Sequence, residues 1–218
     1  MGLLVGAIQC LQTKGDSEMS TYLPVKQNTE WQQGESFDYA KTALLVVDVL
    51  GGSAGCTPGL EHMAENCVQL VYAARDAHIP VLFTCDAHIE GIDRELVLWG
   101  DHGIAGTESS KPLDAFNVQA SDFIIPKRRY DSFFQTDLDI TLRELGVDTL
   151  ICVGCDTNIC VMQTLAGAFY RGYKTIIAAD ATATFLVGTQ EGGLEYFTRC
   201  FDTRVTTTQH VLDQLAEK

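Results

Sequence analysis

Short, continuous apolar runs recur along this chain and constrain its fold more than any other feature. They occupy residues 42–47, 79–84, 150–153 and 175–179, with two weaker runs at 122–126 and 203–207. The four stronger runs do not alternate apolar and polar residues, and this pattern is typical of strands buried on both faces of a parallel sheet.

Segments with a helical period separate these runs. They cover residues 59–78, 136–145, 160–172, 188–200 and 208–217. Alternation of about six strands with helices predicts an α/β fold, a doubly wound and mainly parallel six-stranded sheet with helices on both faces. At 218 residues and 46% apolar composition, one domain can hold its own core. We assign it to residues 41–218 and interpret residues 1–40, polar after residue 20, as an N-terminal arm.

The charge balance limits the partners. Lys and Arg total 15 against 29 Asp and Glu, a formal charge of -14, and there is no long basic run. Such a chain is repelled by nucleic acid and by anionic lipid, so we predict that it binds neither nucleic acid nor a membrane surface. Eight scattered cysteines in a chain of this length indicate reduced thiols and a cytoplasmic location.

We expect no signal peptide at the N-terminus. The apolar residues 1–12 lack a basic flank and a cleavage motif, and no run reaches the ~18 residues of a membrane span. Met19 offers an alternative start, so no prediction rests on residues 1–18.

Residues 149–173 are the most informative stretch for chemistry. A strand ends at Gly154, a polar turn follows, and Cys160 opens a helical pattern. A thiol at a helix N-terminus is expected to have a lowered pKa and backbone N–H groups nearby that can hold an oxyanion. The alternative is an inert buried Cys. Cys152 and Cys155 also match a CxxC redox pair, although Cys152 falls inside the strand.

Two more reactive side chains follow predicted strands. Asp48 ends the first strand and Lys127 ends the strand at 122–126. Because the carboxyl ends of parallel strands lie at one edge of the sheet, we expect both to lie close to Cys160. Asp48 alone would fit a turn or cap, and Lys127 begins a cationic run with Arg128 and Arg129 that would equally suit a solvated face.

A loop after the strand at 79–84 has a metal-ligating composition. Within seventeen residues it contains Asp86, His88, Glu95 and His102. Two imidazoles with two carboxylates suit Zn, Fe or Mn. The alternative is a hydrated acidic loop with incidental His.

Three blocks of sequence resemble the isochorismatase-like cysteine hydrolases, a family with nicotinamidases, N-carbamoylsarcosine amidases, ureidoacrylate-type amidases and isochorismatases. The blocks are ALLVVDV, IIPKRRYDSFFQTDLDITLRELGVDTL and VGCDTNICVMQTLAGAFYRGYKTIIAADA. The resemblance implies that Cys160 attacks a carbonyl to give a thioester, Asp48 is the general base and Lys127 holds both in register. It further implies an oxyanion site at the N–H groups of Cys160 and Asp156, with a cis peptide between Cys155 and Asp156.

The resemblance also concerns the metal loop and the substrate. Asp86, His88, Glu95 and His102 resemble the metal set of nicotinamidases, which implies a divalent metal, zinc first with iron or manganese as alternatives, and no organic cofactor. The resemblance therefore implies a small-molecule amide substrate, with nicotinamide as the first candidate. Members of the family are commonly oligomers, so we also expect a homo-oligomer.

The sequence departs from the family after the catalytic Asp. Many members continue with Gln-Asn-Asp-Phe, whereas this chain has Val49-Leu50-Gly51-Gly52. The departure keeps an N-carbamoyl or ureido amidase open as the alternative. Asp156 replaces a small residue and is expected to disfavour an anionic substrate. A non-catalytic protein with Cys160 as a redox-sensing thiol is a third possibility.

Overall fold

The computed structural model describes residues 36–217. These residues form six strands and six α-helices, with short 3₁₀ turns and one π-helical turn between them. The strands are β1 Thr42–Val47, β2 Val81–Asp86, β3 Phe123–Lys127, β4 Thr149–Cys155, β5 Lys174–Ala183 and β6 Arg204–Thr206. The helices are α1 Glu61–Asp76, α2 Arg94–Trp99, α3 Leu138–Glu144, α4 Met162–Tyr170, α5 Gln190–Phe201 and α6 Thr208–Ala216.

The strands form one sheet in the order β3-β2-β1-β4-β5-β6, and every neighbouring pair is parallel. The predicted doubly wound α/β fold is therefore confirmed. In this order the winding reverses between β1 and β4, and the carboxyl ends of the strands open a crevice at such a switch point. Asp48 follows β1 and Cys160 follows β4, so the topology alone brings them together.

A hydrophobic core lies on each face of the sheet. In β1, Leu44 and Val46 pack with α1 and α6, while Leu45 and Val47 pack with α3, α4 and α5. This explains why β1 is a continuous apolar run, since both of its faces are covered. The two cores hold the strand ends in a fixed register.

The end of β5 differs from the prediction. The apolar run predicts a strand that ends at residue 179, but the strand continues to Ala183, with a shift in its pairing with β4 between Cys152 and Gly154. Asp180 faces outward and its carboxylate accepts hydrogen bonds from the backbone N and the hydroxyl of Thr208, at 2.7 and 2.9 Å. The irregularity therefore turns Asp180 away from the crevice and towards the start of α6.

Most of the predicted N-terminal arm, and the alternative start at Met19, lie outside the described residues. From residue 36 onward the chain packs near the sheet, and Phe37 joins the α1 core. None of the described helices combines the length and the apolarity needed to cross a membrane.

Candidate active site

Asp48 leaves the end of β1 with a left-handed backbone, at φ +51°. Asp is one of the few residues that adopt this conformation readily. The turn directs the carboxylate across the sheet edge, where Oδ1 accepts a hydrogen bond from the backbone N of Asp86 at 2.9 Å. Its own backbone N donates to the carbonyl of Thr84 at 3.0 Å. The carboxylate is thus fixed between β1 and β2.

Cys160 lies in a π-helical turn, Thr157–Val161, that leads directly into α4. The sequence placed the helix start at Cys160, but the helical segment begins three residues earlier, because the side chain of Asp156 caps it by accepting from Asn158 N. The thiol is buried, at 8% exposure. The peptide bond between Cys155 and Asp156 is cis, at the position where the resemblance placed one.

Lys127, at the end of β3, lies beneath these two residues and is buried. Its Nζ lies 2.7 Å from Oδ2 of Asp48 and 3.7 Å from Sγ of Cys160, and it also donates to Asp86. The three side chains that the sequence singled out therefore form one cluster. Lys127 is held between two carboxylates and is no part of a solvated face.

The electrostatics of the cluster depend on burial. Burial, followed by repulsion from Asp86, raises the pKa of Asp48 to about 7 despite Lys127. Burial acts to lower the pKa of Lys127, but the charges of Asp48, Cys160 and Asp86 hold it well above its usual range. Lys127 is thus a fixed cation, and Asp48 is a base matched to neutral pH.

The expected lowering of the thiol pKa is wrong for this geometry. Burial raises the pKa of Cys160 well above its usual range, and the attraction of Lys127 is outweighed by burial together with Asp48 and Asp86. The resting thiol is therefore neutral, and a nucleophilic thiolate needs a base beside it that takes the proton.

Three of the four predicted metal ligands, Asp86, His88 and His102, converge beside this cluster, and Glu95 approaches them at His88. Nε2 of His88 lies 3.6 Å from Oδ2 of Asp86 and 3.7 Å from Oε2 of Glu95. Nε2 of His102 lies 3.9 Å from the same Asp86 oxygen. Tetrahedral zinc with ligands at ~2.1 Å sets its ligand atoms about 3.4 Å apart, so these separations are close to those of a metal shell.

Unpartnered polar atoms support the same fit. Both ring nitrogens of His88 and both carboxylate oxygens of Glu95 are buried without a hydrogen-bond partner. Buried polar groups normally have partners, and a divalent ion would supply one for Nε2 of His88 and for the carboxylate of Glu95. The donor set therefore fits a divalent metal.

Contacts at the Nδ1 atoms of His88 and His102 orient the two imidazoles. One of them comes from Asp93, a residue that the sequence patterns did not indicate. Its Oδ2 lies 3.6 Å from Nδ1 of His88, and the side chain accepts hydrogen bonds from Arg128 and from Ile89 N. The Arg128 interaction holds the pKa of Asp93 well below its usual range. Nδ1 of His102 contacts the carbonyl of Gly100 at 2.8 Å. A carboxylate behind an imidazole fixes the tautomer of a metal-binding His.

A cavity of about 550 Å³ opens over Asp48, Cys160 and three of the predicted metal ligands, Asp86, Glu95 and His102. Its volume is typical of small-molecule sites. Further lining residues come from the Gly-rich segment after β1, from a Trp99–Tyr130 pair joined by a 2.8 Å hydrogen bond, and from Phe185 and Leu186 after β5. Sequence patterns gave no signal for the last four, because single aromatic or apolar residues in loops are common.

The Asp156 side chain does not point at the place where substrate would meet the thiol. Its oxygens accept hydrogen bonds from the backbone N atoms of Asn158, Phe185 and Leu186 and from the Thr184 hydroxyl. The expected direct repulsion of an anionic substrate by this carboxylate is therefore replaced by a structural contact with the loop after β5.

An α/β fold that brings a thiol, a carboxylate and a lysine together at its switch point is consistent with a hydrolase. Residues 42–210 match the isochorismatase domain family, and the chain belongs to this family as an isochorismatase-like hydrolase.

Individual relatives support the same family assignment. An uncharacterised isochorismatase family protein, YwoC of Bacillus subtilis, is 32% identical over 83% of this chain and 97% of its own length. Nicotinamidase 3 of Arabidopsis thaliana is 30% identical over 66% of this chain and 73% of its length. The crystal structure of N-carbamoylsarcosine amidase from Thermoplasma acidophilum superposes with a TM-score of 0.70 at 32% identity, covering 77% of this chain and 96% of that one.

Proposed function

We propose that this protein is a cysteine amidohydrolase that releases ammonia from a small amide through a thioester. One observation carries the proposal: Asp48, Lys127 and Cys160 converge under a cavity of about 550 Å³ at the β1/β4 switch point. Similarity to a nicotinamidase and to an N-carbamoylsarcosine amidase supports amide chemistry.

The first half of the reaction follows from the contacts. Asp48, whose pKa is raised to about 7, takes the proton of the neutral thiol while Sγ attacks the amide carbon. The carbonyl oxygen becomes an oxyanion beside the backbone N–H groups of Cys160 and Asp156. As the tetrahedral intermediate collapses, protonated Asp48 returns the proton to the leaving nitrogen, so that ammonia departs and an acyl thioester remains.

In the second half, Asp48 again acts first as a base and then as an acid, and Cys160 becomes the leaving group. Asp48 takes a proton from water, the resulting hydroxide attacks the thioester carbon, and the thiolate leaves with that proton. Lys127 keeps its charge throughout, so it stabilises either the Asp48 carboxylate or the Cys160 thiolate, whichever is charged. The products are one carboxylic acid and one ammonia per amide.

Asp86, His88, Glu95 and His102 are the residues that would hold a divalent metal, with zinc first and iron or manganese as alternatives. When bound, the ion would supply a Lewis acid that orients a polar group of the substrate. No organic cofactor is part of the proposal.

A screen of small amides for ammonia release, with metal analysis of the same sample, tests the proposal. Nicotinamide is the first substrate, and turnover of at least one amide is expected. Folded, metal-loaded protein that releases no ammonia from any amide or urea would refute the proposal.

A second candidate is an N-carbamoyl or ureido amidase, favoured by the Gly-rich segment that replaces the usual residues after Asp48. Turnover of carbamoylated amines with release of both ammonia and CO₂ would identify it.

The redox-sensing alternative predicts an accessible, reactive thiol. Cys160 is instead buried and its pKa is raised by burial, which favours catalysis with a local base. An alkylation rate of Cys160 that is unchanged by Asp48→Asn would favour the sensor instead.

A homo-oligomeric assembly and a cytoplasmic location stay predictions, and sedimentation and cell fractionation would check them.

A further inference from the structure

One wall of the cavity is apolar and belongs to the loop after β5. Phe185 and Leu186 line the cavity while remaining 50% and 47% exposed. Leu50 and Ile159 line the same cavity. Large apolar side chains exposed at the mouth of a site gain burial when a ligand covers them, so their placement points to an apolar group on the ligand.

This wall is held by buried polar groups of the turn that precedes Cys160. Oδ2 of Asp156 accepts hydrogen bonds from the backbone N atoms of Phe185 and Leu186, at 2.8 and 3.1 Å. Oδ1 accepts from the hydroxyl of Thr184 at 2.9 Å. Asp156 is 4% exposed, and hydrogen bonds to a buried carboxylate are stronger than those between neutral groups.

Asn158 holds the far end of the same loop. Its side-chain amide donates to the Thr184 hydroxyl at 3.1 Å and to the carbonyls of Val187 and Thr189 at 2.6 and 3.1 Å. Since Asp156 and Asn158 belong to the turn that carries Cys160, the apolar wall and the thiol share one support. The distance from the reacting sulfur to the wall is thereby set.

The charges lining the cavity are of one sign. No Lys or Arg of residues 36–217 lines it, whereas carboxylates do. Lys127 lies beneath and is already paired with Asp48 and Asp86. A divalent cation held at the metal ligands would compensate Asp86 and Glu95, and Lys127 compensates Asp48, while the Asp156 carboxylate is turned to the loop after β5. Asp101 is then the lining carboxylate that has no positive partner among the described residues. Apart from that cation, the described lining offers no Lys or Arg with which a substrate carboxylate could pair, and Asp101 would repel it.

We propose that Phe185 and Leu186 form a subsite for an apolar group on an uncharged substrate, and that Asp156 is the positioning residue for this wall. The proposal deepens the function above by naming the substrate class. Turnover of this class rests on the proposed function, but its binding does not.

Binding is therefore measured first, by calorimetry on the full metal-loaded chain carrying Cys160→Ala, which removes the proposed nucleophile. Acetamide and benzamide probe the apolar group. Benzamide is expected to bind at least about tenfold tighter, since each buried methylene-sized group contributes severalfold. Equal affinities would overturn the subsite.

Charge is probed with a matched pair that shares a ureido group. N-carbamoylglycine carries one carboxylate, and its methylamide is neutral. The methylamide is expected to bind at least about tenfold tighter. Tighter binding of the anion would overturn the claim of an uncharged substrate.

Variants locate the subsite. Phe185→Ala and Leu186→Ala should each weaken benzamide binding more than acetamide binding, and so shrink the benzamide advantage. Val187→Ala is the matched control, because Val187 is 49% exposed in the same loop but does not line the cavity. An unchanged benzamide advantage in both wall variants would overturn the assignment.

The positioning role of Asp156 has its own readout. Asp156→Asn keeps the size but removes an acceptor for the loop N–H groups, so it should reduce the benzamide advantage and raise KM for apolar amides more than for acetamide. Thr184→Val should act in the same direction more weakly, and it keeps the test valid if Asp156→Asn does not fold. Equal effects on both amides would indicate a merely structural role.

The two levels of the proposal fail separately. If the probes bind as expected but unmodified protein releases no ammonia, the hydrolase chemistry is wrong and the subsite stands. If the unmodified protein hydrolyses a carboxylate-bearing ureido acid as efficiently as its neutral amide, the amidase stands and the substrate class proposed here falls.

Discussion

Nζ of Lys127 lies 3.7 Å from Sγ of Cys160, although the two residues come from β3 and from the turn after β4. These elements are separated in the sheet by β2 and β1, so the lysine reaches the thiol from beneath the switch point. Its charge does not suffice to ionise the thiol, because burial dominates. The arrangement instead supports a thiolate that forms only when Asp48 accepts its proton.

The first prediction concerns the nucleophile. Cys160→Ala should lower ammonia release by at least about 10³-fold, because no other group replaces the attacking sulfur. Circular dichroism should show an unchanged fold. Cys200→Ala is the control, since Cys200 is an exposed free thiol of α5, and it should keep full activity. Appreciable turnover by Cys160→Ala would show that another residue is the nucleophile.

The second prediction concerns the buried cation. Lys127→Met leaves the carboxylates of Asp48 and Asp86 without their shared partner, so urea unfolding should show a loss of about 3–5 kcal/mol. Adding Asp48→Asn should recover part of the loss, because one uncompensated charge is removed.

Lys111→Met is the matched control for that measurement. Lys111 forms an ion pair with Glu108 on the surface, where solvent screens the charges, and its loss should hardly change the unfolding midpoint. If Lys127→Met proved no more destabilised than Lys111→Met, the buried ion-pair network would not exist as described.

The third prediction concerns the metal set. Protein incubated with zinc should retain about one equivalent per chain, and its unfolding temperature should rise because the ion binds the folded state. His88→Gln should abolish both effects. Asp93→Asn, which alters the contact behind His88, should weaken binding by about 10–100-fold.

His62→Gln serves as the control for metal binding, since His62 is exposed on α1 and distant in sequence from the loop. It should retain the metal like the unmodified protein. Metal content that is the same in His88→Gln and His62→Gln would rule out the proposed ligand set.

Much of this site could be predicted from the sequence because the ends of the strands can be recognised from the residue pattern. Continuous apolar runs marked the strands, and Asp48 and Lys127 followed two of them directly. Parallel strands with alternating helices then implied a common edge. The side chains that line the crevice from loops had no such marker, which is why Phe185 and Leu186 emerged only from the structure.

The electrostatics could not be predicted in the same way. The sequence suggested a thiol acidified by a helix end, but the sign of the pKa shift depends on burial and on where the carboxylates lie. Asp93 was missed because its partner Arg128 is thirty-five residues away in the chain. The role of Asp156 as a support for the loop after β5 likewise arises from a contact across about thirty residues.

The last prediction tests the switch point itself. Gly154, in β4, has φ +114°, and a Cβ there would lie 2.0 Å from the carbonyl oxygen of Val47 in β1. Gly154→Ala should therefore cost roughly 2–6 kcal/mol, from backbone strain and from forcing β1 and β4 apart.

Gly172→Ala separates those two contributions. Gly172 also has a positive φ, +83°, but no atom lies within 4 Å of the added Cβ, so only the strain of about 1–3 kcal/mol applies. Urea unfolding of both variants measures the difference. Because Asp48 follows β1 and Cys160 follows β4, Gly154→Ala should also lower ammonia release, whereas Gly172→Ala should not. Equal stability losses would mean that β1 and β4 do not approach each other as closely as the fold requires.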